Sequence, residues 1–153
     1  MLSNIERAKV DAYRILMAQV YELAAVSRRD SESIAAGRGA TVTQWHTMSV
    51  LSDGTTATVP QVAARLGVTR QAVQRVADQL LERGHLQRIA NPHHDSSPLL
   101  QLTPSGEEIL KRLWEDSDGP RARMLRDVEA RRMDEAAATL QDLLVALKDD
   151  GRR

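Results

Sequence analysis

The chain has no cysteine and no phenylalanine, and its only aromatic residues are two tryptophans and two tyrosines among 153 positions. Without thiols there are no disulfides, no thiolate metal sites and no cysteine redox switch. That fits a cytoplasmic protein. So few rings leave no set of platforms on which single-stranded nucleic acid could stack base after base. They also mean that the core must be built from Leu, Val, Ile, Ala and Met. No apolar run is long enough to span a bilayer, and charges interrupt the first twenty residues throughout, against the layout of a signal peptide. An excess of one charge sign is missing too, since 21 Lys and Arg balance 21 Asp and Glu. With no global basic field, a nucleic-acid binder of this composition depends on local positive charge. The sequence also lacks a phosphate loop, a nucleophile elbow and a helical two-His metal motif. We expect no enzyme, no cofactor and no metal site. The run His93-His94-Asp95 does not change this, because adjacent loop side chains seldom converge on one ion.

What is present is organised around residues 59–81, VPQVAARLGVTRQAVQRVADQLL. The stretch predicts two short helices around a tight turn. Val62, Ala63 and Leu66 are apolar at helical spacing before the turn, and Val73, Val76 and Leu80 after it. Gly67 supplies the residue that tolerates positive φ, and Thr69 can cap the second helix. Ala63 is small enough for two helices to cross closely. On the second helix Ala72, Val73, Val76, Ala77 and Leu80 fall on one side. Gln71, Gln74, Arg75 and Asp78 fall on the other, with Arg70 near the start. Arg and Gln are the side chains that bond guanine and adenine edges bidentately in a major groove, and such contacts come from the first turns of a recognition helix. Local charge supports this reading: Arg65, Arg70, Arg75, Arg83 and Arg88 outnumber Asp78, Glu82 and Asp95. The excess is small, so non-specific affinity should be weak and strongly salt-dependent.

Around this centre the chain reads mainly α. Residues 4–36 carry an apolar stripe through Ile5, Ala8, Ala12, Leu16, Val20 and Leu23, which predicts one long helix ended by Gly37-Arg38-Gly39. Thr41 and Gln44 form a capping box for a helix bearing Trp45, Met48 and Leu51. Residues 55–59 suggest a brief strand, and Pro60 belongs in the first turn of the helix that follows. Gly84 should close the helix-turn-helix. Residues 86–90 and 99–102 read as two short strands around a polar turn, a β-hairpin wing. Thr103-Pro104 caps a further helix, which Asp118-Gly119-Pro120 should break or kink. A terminal helix follows, with Met133, Ala136, Ala137, Leu140, Leu143, Leu144 and Leu147 along one stripe.

Helix, helix, short strand, two helices, hairpin and long helices resemble, in that order, the MarR family of winged-helix regulators. The residues that carry the resemblance are Gln44-Trp45, Val62-Ala63, Leu66-Gly67-Val68-Thr69, residues 80–84, and Leu102-Thr103 with Gly106. It covers almost the whole chain. It implies a single chain with a helical dimerisation region at 1–37 and 104–153 and a winged helix-turn-helix at 41–103. It also implies a cytoplasmic homodimer that binds a palindromic duplex operator, acts as a repressor, and is released by a small ligand. Dimerisation would bury the two terminal stripes, for which a small domain has no other use. It would also set the recognition helices about one DNA turn apart.

On this reading Thr69, Arg70, Gln71, Gln74 and Arg75 meet DNA through the recognition helix, while Arg88, His93 and His94 meet it through the wing. The wing departs from the family. His94 stands where the family's wing has Asp, and Ser96 where it has the Arg that enters the minor groove. Protonation of His93 and His94 would restore part of the charge, predicting tighter binding at mildly acidic pH. The resemblance places an effector pocket between the dimerisation helices and the winged helix, and Tyr13, Trp45, His46 and Trp114 are the polar-tipped candidates to line it. The alternative is a winged-helix interaction or ligand-binding module with weak or lost DNA affinity.

Overall fold

Helix starts in this chain follow one recurrent piece of chemistry. In the computed structural model, which describes residues 2–93 and 97–150, the side chains of Ser3, Thr41, Thr58 and Thr69 each accept a hydrogen bond from the backbone N–H three residues on. They open α1 (Asn4–Gly37), α2 (Val42–Val50), α3 (Val59–Leu66) and α4 (Arg70–Glu82). At the first three, Glu6, Gln44 and Gln61 return the bond to the cap backbone, closing capping boxes. A cap of this kind is worth about 1 kcal/mol. After α4 come β1 (Leu86–Ile89), β2 (Leu99–Leu102), α5 (Pro104–Met124) and α6 (Ala130–Asp150). The mainly α winged-helix architecture expected from the sequence is the one observed.

Two compact units divide the chain, at the bond between Asp116 and Ser117 within α5. The first contains the core. Trp45 and Met48 of α2, Val62 and Ala63 of α3, and Val73, Val76, Ala77 and Leu80 of α4 are buried together. The hairpin adds Leu86, Leu100 and Leu102, and α5 adds Leu110 and Leu113. Gly67, at φ 65°, makes the turn between α3 and α4 that lets the two apolar faces meet. Long α1 gives this core only its end: Ala35 is buried, whereas Ile5, Ile15, Tyr21 and Leu23 stay exposed. In the second unit, no residue of α6 is buried.

β1 and β2 pair antiparallel, with Leu86 opposite Leu102 and Arg88 opposite Leu100. Two expectations need correcting. The brief strand at residues 55–59 reduces to a single bridge between Ala57 and Leu100. Thr58 is already the cap of α3 and Val59 its first residue, so no extended backbone remains to pair. The break at Asp118-Gly119-Pro120 is also absent: α5 continues through Pro120 to Met124. One proline removes one intrahelical bond, and the neighbouring bonds carry the helix past it.

Candidate nucleic-acid interface

The helix-turn-helix presents α4 with one face in the core and the other in solvent. Thr69 is held at its cap, where its hydroxyl accepts from the Ala72 N–H at 3.1 Å. Arg70, Gln71, Gln74, Arg75 and Asp78 are all exposed. Among the described residues neither Arg70 nor Arg75 makes an ion pair, so both guanidinium groups are available to phosphate or base.

The hairpin register decides where Arg88 goes. Residues opposite one another on an antiparallel pair share a face, and alternate residues along a strand share a face. Leu86, Arg88, Leu100 and Leu102 are therefore on the same side of the hairpin, the side that buries three leucines. Arg88 thus reaches back toward α4, and its Nη2 donates to Asp78 Oδ1 at 3.0 Å. The Gln74 amide Nε2 donates to the same oxygen at 2.9 Å.

Arg70, Gln71 and Gln74 from α4, Arg88 and Leu100 from the strands, Ser97 and Pro98 from the wing, and Val59 and Pro60 from the start of α3 line one open groove of about 470 Å³. Four of the residues assigned to DNA from the sequence therefore converge. Thr69 and Arg75 lie on the same helix outside the groove lining. His93 lies elsewhere, in a second groove with Thr56, Thr58, Gln61 and Asn91. His94, together with Asp95 and Ser96, falls outside the described residues.

Sequence reasoning missed two side chains that shape this surface. Helical periodicity puts Asp78 on the exposed face, and its partner Arg88 comes from a separate element. Asn91 is nearly buried and spans the wing loop: its amide donates to the Ser97 carbonyl at 2.8 Å, and its oxygen accepts from the His93 N–H at 3.0 Å. The signal was present as an Asn-Pro pair at a turn. Ser97 and Pro98 also enter the groove, which only hairpin closure reveals.

The four effector candidates occupy different environments. Tyr13 is exposed on α1, Trp114 is exposed on α5, and His46 is half-buried on α2. Trp45 is only 2% exposed and belongs to the core, its ring tilted against that of His46 with centroids 6.5 Å apart. Neither groove just described is lined by any of the four. Among the described residues no three His, Asp or Glu side chains are grouped to hold a metal ion. No helix among them is long and apolar enough to cross a membrane.

A helix-turn-helix with an exposed Arg/Gln face and an antiparallel wing defines a winged-helix DNA-binding fold. Comparison with known proteins takes this further. The MarR family model matches residues 38–95. An uncharacterized protein of Mycobacterium tuberculosis (strain ATCC 25618 / H37Rv) is 42% identical over 133 residues, which is 87% of this chain and 92% of the relative. The same figures hold for an uncharacterized protein of Mycobacterium bovis. Among solved structures, the transcriptional regulator BldR from Sulfolobus solfataricus superposes with a TM-score of 0.76 at 21% identity, covering 90% of this chain and 98% of that one. A MarR mutant from E. coli complexed with operator DNA superposes with a TM-score of 0.66 at 18% identity, covering 84% and 93%. The chain belongs to the MarR family of winged-helix regulators.

Proposed function

We propose that this protein is a transcriptional repressor that binds a palindromic duplex operator as a homodimer. The observation that carries the reading is the convergence of Arg70, Gln71, Gln74 and Arg88 on one exposed groove between α4 and the wing. Arg70, Gln71, Gln74 and Arg75 read bases or adjacent phosphates, Thr69 fixes the helix start against the backbone, and Arg88, His93 and His94 serve the flanking wing side. The MarR mutant solved with operator DNA has the same fold, which supports the docking mode. Exposed Ile5, Ile15, Tyr21 and Leu23 on α1, and exposed Leu144, Val145 and Leu147 on α6, support the homodimer. Large apolar side chains repeated along a helix mark a surface that another chain can cover. These helices form the dimerisation region at 1–37 and 104–153, and 41–103 forms the DNA-binding region.

Release by a small ligand is part of the proposal. Tyr13, His46 and Trp114 are assigned to contact it. Trp45 sits in the core, where it would report a rearrangement through its fluorescence. A ligand releases DNA only by favouring one of two states, here two spacings of the recognition helices.

Selection of duplexes from a random pool at low salt, followed by a salt series on the winner, tests the reading. Enrichment of an inverted repeat with half-sites about one turn apart is expected. Weak binding without enrichment, lost at modest salt, would favour a second reading, a winged-helix interaction module without operator binding. The zero net charge and Ser96 at the family's Arg position favour that alternative.

A further inference from the structure

The carboxylate of Asp78 lies where DNA would meet the protein, and a negative charge there opposes phosphate. Its two partners explain its presence. Oδ1 accepts from Gln74 one turn earlier on α4 and from Arg88 on β1, two elements otherwise joined by the Gly84 turn. The Asp78 and Arg88 side chains are 54% and 52% exposed, so the ion pair contributes little to folding stability. Its effect is on direction. An unpaired Arg88 guanidinium would swing toward any phosphate within reach, on any sequence. Paired, it stays on the groove lining beside Gln74, whose amide donates to the same oxygen.

We propose that Asp78 is the positioning residue for sequence discrimination. It holds Arg88 back from indiscriminate phosphate binding and orients the Gln74 amide for base reading, giving up overall affinity for specificity. The proposal rests on the DNA-binding reading above. It assigns Asp78 no contact with DNA.

The test uses the full-length protein with Asp78→Asn, Arg88→Gln, Asp78→Asn/Arg88→Gln and Glu82→Gln. Glu82 is exposed at the end of α4 and serves as the charge-matched control. Each is titrated with the duplex enriched by the wild type and with a scrambled duplex of equal length, over a salt series. Asp78→Asn keeps an oxygen for Gln74 but loses the charge that holds Arg88. It should bind the scrambled duplex more tightly, steepen the salt slope by about one, and lower the enriched-to-scrambled ratio about tenfold. Arg88→Gln alone should weaken binding to both duplexes and flatten the slope, because the Asp78 carboxylate is then unpaired and opposes phosphate. The double variant should return the slope to the wild-type value. Glu82→Gln should raise both affinities alike and leave the ratio unchanged. A ratio and slope for Asp78→Asn equal to those of Glu82→Gln overturn the proposal and leave DNA binding intact. A wild type for which selection enriches no duplex overturns both readings, and is recognised before any variant is titrated.

Discussion

Gly106, in the first turn of α5, lies so close to the backbone carbonyl of His85 that a β-carbon on Gly106 would overlap its oxygen. The same corner is tied by Thr103, whose hydroxyl donates to the Gly84 carbonyl at 2.6 Å while accepting from the Gly106 N–H at 3.1 Å. The Thr103 N–H donates to the His85 carbonyl at 3.1 Å. The Leu-Thr-x-x-Gly pattern is thus a device that locks the returning wing strand and the start of α5 onto the end of α4.

Gly106→Ala should therefore destabilise the protein by about 1–3 kcal/mol, since the obstacle is a backbone carbonyl and cannot rotate away. Gly119→Ala on the same helix meets nothing tighter than Arg123 Nη1 at 3.7 Å. It should be neutral or stabilising by up to about 1 kcal/mol, through helix propensity. Urea unfolding of the two variants checks the contrast, and equal effects would remove the close-approach explanation.

Thr47 is fully buried on α2, and its hydroxyl has no hydrogen-bond partner among the described residues. Thr47→Val keeps the shape and removes the unsatisfied group. A gain of about 1–2 kcal/mol in unfolding free energy is expected. A loss of stability in the same measurement would show that the hydroxyl is satisfied in solution.

Arg38, capping α1, meets Asp116 of α5 through two bonds, Nε to Oδ2 at 2.5 Å and Nη2 to Oδ1 at 2.9 Å. These bonds hold the Asp116 carboxyl below its ordinary 3.8 and raise the Arg38 guanidinium further. Because the folded value of Asp116 is depressed, its contribution is complete above 3.8 and disappears as pH falls through the lowered value. The Arg38 contribution would be lost only in strong alkali. Asp116→Asn should lower stability slightly at neutral pH, the pair being 38% exposed on each side. In strong acid it should match the wild type. Denaturant midpoints at the two pH values decide this, and a gap that persists in acid would assign the effect to something other than the charge.

Gln71→Ala should relax sequence preference at one position of each half-site by about 1–3 kcal/mol. Arg75→Ala should weaken binding to all duplexes and flatten the salt slope by about one. Filter binding to the enriched and scrambled duplexes separates the two effects. Unchanged binding in both variants would mean that α4 is not the recognition helix.

The local features of this chain are legible in its sequence. Thr41 and Thr69 announce their helices because a cap bonds within three residues. Gly67 and Gly84 mark turns because positive φ excludes most other residues. The buried and exposed faces of α4 follow from helical periodicity alone. Pro120 misleads, since a proline signals a helix end by itself while the surrounding bonds carry α5 on to Met124.

Relations across the chain are another matter. Whether Arg88 faces solvent or α4 depends on the register of β1 against β2, and its meeting with Asp78 depends on how the hairpin packs on that helix. The need for glycine at Gly106 comes from a carbonyl twenty-one residues away. Trp45, polar-tipped and so a natural candidate for a ligand, is drawn into the core by the apolar faces around it. By itself the sequence determined the helices, their caps and the Arg/Gln face, because those rest on hydrogen bonds and periodicities spanning a few residues. The tertiary structure alone decided which of those side chains share the groove and which carboxylate restrains them, because that depends on how separate elements pack against one another.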